Sequence, residues 1–260
     1  MPSADPMETI QRLRALVNDE LYKLVDPQNR AAVIGWGTML SVSHFVDGMV
    51  LLHRAGNCFA AGPIRRSAME YAITTVWLAD SPEEAADALN GGLKFKVGSL
   101  VDGVVDAGAQ ARFPDSAVQS AQALKEVKLP KATQANLLHI THLLDVYDSS
   151  EDGDGSIPLS LLYDGESSFT HASLMGAQVF FDERGDATAL STKPEPREMV
   201  PCLEMAEYFL FTATLAFNEL LIGKPWTDIL QTIATEIGAD ASLPKRRQRP
   251  PRQRKAPKKR

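Results

Sequence analysis

Apolar residues recur three and four positions apart along most of this 260-residue chain, the spacing of amphipathic helices. A first helix is predicted over 7–24 and ends before Asp26-Pro27, because the residue before a proline disfavours helix. Further helices are predicted over the ranges 28–55, 62–79, 82–92, 115–127, 131–147, 167–176, 199–222 and 226–237, and residues 93–107 either continue the fourth helix or form another. The pattern therefore predicts an all-α protein, a helical bundle of about seven to nine helices.

The helix predicted over Gly62–Ala79 is apolar on nearly every side, which is typical of a helix in a protein core. Its first half nevertheless carries Arg65, Arg66 and Glu70. Arg and Glu are rarely buried without a partner, and Arg66 and Glu70 are four positions apart, so that they can pair with each other. If Glu70 is buried and paired, its replacement by Ala should cost on the order of 3 kcal/mol of stability.

Two short stretches later in the chain predict a small β-hairpin near 177–191. Ala177–Phe181 and Ala187–Ser191 flank the segment DERGD, whose composition is typical of a turn. Apart from this hairpin, residues 1–243 are expected to form a single helical domain, with the first helix 7–24 packed on it.

Three glycines, Gly35, Gly37 and Gly48, lie inside the second predicted helix. Each costs about 1 kcal/mol relative to Ala in that setting. Close approach of a neighbouring helix would explain why glycine is used there.

Positive charge is concentrated at the C-terminal end. Ten of the 27 Lys and Arg lie in residues 245–260, which hold no acid, so residues 1–244 keep 17 bases against 33 acids, a net charge of −16. Residues 244–260 are expected to be a disordered basic tail. Its candidate partner is nucleic acid or another polyanion; the alternatives are a solubilising tail and one that screens the acidic body. Its cations are Lys245, Arg246, Arg247, Arg249, Arg252, Arg254, Lys255, Lys258, Lys259 and Arg260.

Cysteine content and hydropathy favour a cytoplasmic protein. Cys58 and Cys202 are the two cysteines, and they read as small buried hydrophobes, although a disulfide between them stays open. The N-terminus lacks the basic and apolar regions of a signal peptide. No membrane partner is predicted, because the most apolar stretch, 199–222, contains three acids: Glu204, Glu207 and Glu219. Whether the chain is a monomer or a homodimer is left open.

Known cofactor and metal motifs are absent from the sequence. It holds no phosphate-binding GxxxxGK[ST] loop and no GxSxG motif. The acidic loop from Asp148 has Leu159 where an EF-hand requires Glu. His139 and His142 share a helix face, but no Glu or Asp completes an HExxH motif and no Cys cluster is near. No metal and no cofactor are therefore predicted.

The segment SSFTHAS contains the most suggestive side chains for chemistry. Ser168 and His171 are three positions apart, and a Ser–His pair can act as nucleophile and base. The structural alternative is a hydrogen bond from His171 to a buried carboxylate such as Glu70. His44 and Asp47, on the preceding helix, are further candidate partners for the charges of the 62–79 helix.

The helix with Arg66-Ser-Ala-Met-Glu70 and the later Ser168-Phe-Thr-His171 together resemble a family of uncharacterised helical bacterial domains, a domain of unknown function. The resemblance covers about 31–223 and implies an all-helical bundle with an internal site of Arg, Glu and His. A looser likeness connects the chain with HEPN domains, helical bundles that often act as RNases in toxin and phage-defence systems. Those enzymes use Arg, four to six residues and then His, and no histidine of this sequence follows an arginine at that spacing.

Two functions are therefore carried forward. The first is a helical-bundle binding or regulatory protein, linked to stress or phage defence, whose candidate binding residues are Arg65, Arg66, Glu70, Ser168, His171, His44 and Asp47. The alternative is a HEPN-like RNase or toxin-type hydrolase that uses His171 as base and Arg66 as phosphate clamp, with Glu70 as a further candidate catalytic residue.

Overall fold

Helices dominate the fold. The computed structural model describes residues 5–17, 21–109, 114–129, 132–148, 159–170, 181–184, 187–190 and 202–247. The α-helices within these ranges are α1 (Pro6–Ala15), α2 (Arg30–Arg54), α3 (Gly62–Asp80), α4 (Pro82–Asp106), α5 (Asp115–Glu126), α6 (Ile140–Tyr147), α7 (Leu159–Thr170), α8 (Cys202–Leu220) and α9 (Thr227–Ile237). Short 3-10 helices lie at Leu21–Leu24, Cys58–Ala61 and Ala135–Leu138. The expected all-α bundle is confirmed.

A two-stranded hairpin is also present. Strand β1 (Phe181–Arg184) pairs antiparallel with β2 (Ala187–Leu190), with Phe181 opposite Leu190. The hairpin predicted near 177–191 is therefore confirmed, but its first strand uses the residues DER that composition had favoured as a turn.

Side-chain caps explain why several helices begin where they do. The Asp5 carboxylate accepts a hydrogen bond from the backbone N–H of Met7 at the start of α1. The Asn29 side chain does the same for Ala32 at the start of α2. Such caps satisfy backbone N–H groups that have no partner inside the helix.

Two predicted helices are each divided in the structure. The first helix ends at Ala15 rather than near residue 24, and Leu21–Leu24 is a separate 3-10 turn. The predicted 131–147 helix is instead a 3-10 turn followed by the short α6. In both cases the local apolar spacing indicates helical turns, but it carries no information on how the chain bends between them. Of the two alternatives predicted for residues 93–107, the structure shows the first, because α4 continues without a break through Gly91-Gly92 to Asp106.

Helices α2, α3 and α8 form the centre of the bundle and pack against one another. Helix α1 packs on α8, and α7 packs on α3. The largest side chains of the core come mainly from these central helices; they include Met39, Trp77, Leu78, Phe209 and Phe217, all fully buried. Within the described residues, no helix combines the length and the apolar character needed to cross a membrane.

The α2 glycines mark where neighbouring helices come close. A Cβ at Gly35 would lie 2.6 Å from a methyl of Leu220 in α8, and one at Gly48 would lie 3.3 Å from Ile64 in α3. Close approach therefore accounts for two of the three glycines. It does not account for Gly37, where a Cβ would meet nothing within 4 Å.

The first residues of the basic segment lie against the helical body. The backbone N–H of Arg247 donates to the carbonyl of Val146 at 2.9 Å, at the end of α6. Arg247, within the predicted tail 244–260, is therefore hydrogen-bonded to the helical body. Residues 248–260, with the other seven cations, lie outside the described residues.

One carboxylate is buried between α1 and α8. Glu207 is only 7% exposed. Among the described residues, its Oε1 has no hydrogen-bond partner. Burial raises the pKa of Glu207, the nearby Thr9 hydroxyl offsets part of this increase, and the charges of Glu204 and Asp5 add to it. The protonated form is thus favoured in the folded state.

We predict that Glu207→Gln stabilises the fold increasingly as pH rises. A carboxyl whose pKa is raised by folding favours the folded state at low pH, and this contribution is lost as pH rises through the folded-state pKa. The melting temperature of the variant should therefore exceed that of the wild type at pH 8 and approach it near pH 4. The control is Glu84→Gln, an exposed carboxylate of α4 that does not act on Glu207, and an equal pH trend in both variants would contradict the assignment to Glu207.

Candidate functional site

The Arg65 guanidinium forms a buried, two-pronged salt bridge with the Glu166 carboxylate of α7. Its Nε lies 2.8 Å from Oε1 and its Nη2 lies 2.9 Å from Oε2. The remaining nitrogen, Nη1, donates to the backbone carbonyl of Cys58 at 2.9 Å. The two side chains are 7% and 3% exposed, so this pair joins α3 and α7 inside the protein.

The pair holds Arg65 charged in spite of its position. Burial lowers the pKa of Arg65, but the hydrogen bond and the charge of Glu166 outweigh this effect and raise the pKa above its ordinary value. The planar guanidinium suits such a site, because its donors match the two oxygens of a carboxylate.

Arg66 takes part in a second, more open cluster with Glu70 and Tyr163. Its Nε donates to Glu70 Oε1 at 3.1 Å, which confirms the pair expected from their spacing. The Tyr163 hydroxyl accepts a hydrogen bond from Arg66 and donates to the same Glu70 oxygen at 3.0 Å. The guanidinium carbon also lies 4.5 Å from the centre of the Tyr163 ring, within the range of a cation–π contact.

The Tyr163 proton completes this cluster. Burial raises the pKa of Tyr163, and the hydrogen bond and charge of Glu70 raise it further against the opposing effect of Arg66. The hydroxyl therefore stays protonated at neutral pH. The Arg66 and Glu70 side chains are 21% and 35% exposed, so this cluster reaches the solvent whereas the Arg65–Glu166 pair does not.

His44 and Asp47, the candidate partners from the preceding helix, both lie on α2. Asp47 pairs with Arg14 of α1, with Arg14 Nη1 2.9 Å from Asp47 Oδ1. His44 is exposed on α2, one turn before Asp47. Asp47, a candidate partner for the charges of α3, is therefore paired with a cation of α1 in the structure.

Of the predicted Ser168–His171 pair, the structure describes only Ser168. The Ser168 hydroxyl donates to the Asp164 carbonyl one turn earlier in α7 at 3.0 Å, a common use of serine in a helix. His171 lies outside the described residues, so its bond to Glu70 and its pairing with Ser168 both stay predictions. The predicted 167–176 helix corresponds in part to α7, which begins eight residues earlier, at Leu159.

Glu166 and Tyr163 are the two site residues that sequence reasoning missed. They lie three positions apart in LLYDGESS and therefore share one face of α7. The apolar residues at 159, 161 and 162 could have indicated a helix here. Two features obscure this helical pattern. Gly165 is a poor helix former, and the acidic loop 148–156 lies just before the helix.

The described residues offer no site for a metal. No group of three or more His, Cys, Asp or Glu within them could hold an ion. His139 and His142 do lie together, with ring centres 5.7 Å apart, and His142 Nδ1 lies 3.2 Å from the Asn136 carbonyl. The side chains that meet between α3 and α7 carry guanidinium, carboxylate and phenol groups.

Fold and site together define an all-α helical bundle with a closed Arg–Glu pair beside an open Arg–Glu–Tyr cluster. Comparisons of the chain with protein-family models, with curated proteins and with solved structures found no match.

We predict that Glu166→Ala destabilises the fold by about 3–5 kcal/mol, because it leaves the Arg65 charge buried without its counter-ion. Glu70→Ala is the matched control and should cost about 1 kcal/mol or less, since Glu70 is partly exposed. This revises the larger cost expected for a buried Glu70. Urea unfolding of both variants measures whether Glu166→Ala loses more stability than Glu70→Ala.

A double variant separates charge from packing in the same experiment. Arg65→Met with Glu166→Leu removes both charges and should recover much of the stability lost in Glu166→Ala. Equal stability of Glu166→Ala and Glu70→Ala would contradict the structural role of the Arg65–Glu166 pair.

Proposed function

We propose that this protein is a binding or regulatory protein that engages nucleic acid through its C-terminal basic segment. The observation that carries the proposal is that Lys245, Arg246 and Arg247 are among the residues that line an open cleft of about 550 Å³. Its volume is within the range of ligand-binding clefts. The first cations of the segment are therefore presented at a defined place on the body.

The lining of the cleft supports a nucleic-acid partner. Tyr208 and Phe211 of α8 line it together with the three cations. The Tyr208 ring is 36% exposed, and aromatic faces of this kind can stack with bases. The basic segment itself contains no aromatic residue, so α8 supplies a feature that the segment lacks. Asp148 and Asp240 also line the cleft, and the cations exceed these acids by one.

The contacts within the two polar clusters of α3 and α7 favour a structural role for these clusters. The Arg65 charge is balanced by Glu166, and Arg66 bonds to Glu70 and Tyr163. Positive charge that is already neutralised attracts a polyanion poorly, whereas residues 245–260 carry ten bases and no acid. We therefore assign the polyanion contact to the basic segment, and we place the protein in the cytoplasm, in stress or phage defence, as part of the same proposal.

We predict that truncation after Pro244 abolishes binding to single-stranded RNA or DNA at low salt. The triple variant Lys245→Gln, Arg246→Gln, Arg247→Gln should retain binding but lower the slope of log K against log salt by about 2 to 3, since each phosphate contact contributes about 0.7–0.9. Fluorescence anisotropy with a labelled oligonucleotide at several salt concentrations measures both effects.

A matched control uses three exposed cations elsewhere, Arg54→Gln, Lys96→Gln and Lys128→Gln in one protein. This variant has the same net charge as the triple variant and should bind like the wild type. Unchanged binding after truncation would refute the proposal, and an equal loss in the control would reduce it to an effect of net charge.

An RNase built on the Arg66 cluster is the second candidate function. The observation that favours it is the solvent exposure of the Arg66 and Glu70 side chains. His171 follows the last residue of α7, the helix that supplies Tyr163. In this mechanism His171 acts as the base and Arg66 binds the phosphate.

We predict for this candidate that His171→Ala and Arg66→Gln each lower RNA cleavage by about 100-fold or more, with binding to RNA unchanged. Gel assays of purified protein with a labelled RNA measure cleavage, and anisotropy measures binding. His142→Ala is the control histidine and should be fully active. Equal cleavage by wild type and His171→Ala would exclude the enzymatic function and leave the binding proposal untouched.

A further inference from the structure

The two cysteines of the chain lie in the same small region of the fold, although they are 144 positions apart in sequence. Cys58 begins the 3-10 helix that leads into α3, and Cys202 is the first residue of α8. Both are free thiols. Their relation could not be derived from the sequence, which left a disulfide open.

Contacts with one helix and one arginine bring the two thiols together. Cys58 Sγ lies 3.6 Å from His53 Nδ1, and Cys202 Sγ donates to the Met49 carbonyl at 3.9 Å. His53 and Met49 are one turn apart on α2. Arg65 is the other shared neighbour, because its Nη1 donates to the Cys58 carbonyl and its positive charge acts on the nearby Cys202 thiol.

The chemistry of the two thiols differs. Burial raises the pKa of Cys202 to about 11, the neighbouring Cys58 thiol adds to this increase, and the Arg65 charge opposes it. Cys202 is 5% exposed, whereas Cys58 is half-buried and its neighbour His53 is exposed. A small oxidant therefore reaches Cys58 first, and His53 is placed to accept its proton.

We propose that Cys58 and Cys202 form a redox pair in which a peroxide oxidises Cys58 and Cys202 resolves the product as an intramolecular disulfide. The Cys58 thiolate attacks one peroxide oxygen, the O–O bond breaks, and the products are a sulfenic acid at Cys58 and water. The Cys202 sulfur then attacks the Cys58 sulfur and gives up its proton. The S–S bond forms and the S–O bond breaks, with loss of a second water. Two thiols and one hydrogen peroxide thus give one disulfide and two waters.

The disulfide would act at the junction of the helical core. It would tie the entrance of α3 to the first turn of α8 beside the Arg65–Glu166 pair. A crosslink between such distant positions restricts the unfolded chain strongly, so the oxidised protein should melt at a higher temperature than the reduced protein. This inference is independent of the proposed nucleic-acid function.

The test treats the full-length protein with hydrogen peroxide and then alkylates the remaining thiols under denaturing conditions. The expected product carries no alkyl group, is lighter than the reduced protein by two hydrogens, and gives a Cys58–Cys202 crosslinked peptide by mass spectrometry. Two alkylated thiols after treatment, or disulfides only between molecules, would overturn the proposal.

Single variants distinguish the roles of the two thiols. In Cys202→Ser, Cys58 should stop at the sulfenic acid, which a dimedone probe detects; in Cys58→Ser, Cys202 should stay reduced. His53→Gln should slow disulfide formation by roughly tenfold through loss of the proton acceptor. Circular dichroism checks that each variant is folded, and Cys202→Ala replaces Cys202→Ser if that variant is not. Equal sulfenic acid at both positions, or an unchanged rate in His53→Gln, would contradict the assigned roles.

Discussion

The buried ion pair between Arg65 and Glu166 is the constraint on which the arrangement of this bundle depends. A guanidinium and a carboxylate leave water at a large cost, which only close mutual contact offsets. The third contact of Arg65, to the Cys58 carbonyl, extends this requirement to the turn before α3. One side chain thus ties the entrance of α3 to α7, and any packing of the core that separated them would strand a charge.

Adjacent arginines in α3 have opposite roles because successive residues of a helix point about 100° apart. Arg65 faces the closed side and is bound by Glu166, whereas Arg66 lies at the edge and meets Glu70 and Tyr163 with solvent nearby. The buried Arg65 pair therefore contributes to stability, whereas the Arg66 cluster is the one that solvent reaches. Tyr163 and Glu166 lie on one face of α7, so that a single helix supplies partners to both arginines.

Sequence reasoning predicts the helices well and the partners of their charges poorly. The α2 and α8 helices are marked by apolar residues at helical spacing, and the Arg66–Glu70 pair follows from local spacing. The partner of Arg65 lies 101 positions away, and no local pattern encodes that separation. The partner of Asp47 is hidden from local patterns for the same reason, since only the packing of the helices brings Arg14 of α1 to it.

Residues 1–244 are acidic and residues 245–260 are basic, so the contact of residues 245–247 with the body affects where the basic segment lies. An acidic body with net charge −16 over residues 1–244 repels polyanions, and a freely moving basic tail would be attracted back onto it. The backbone bond between Arg247 and Val146 limits that movement at the start of the segment. Lys245, Arg246 and Arg247 are thereby kept at one cleft, which Tyr208 also lines. The proposed contact with nucleic acid depends on this arrangement, because a ligand in that cleft would gain base stacking as well as charge neutralisation.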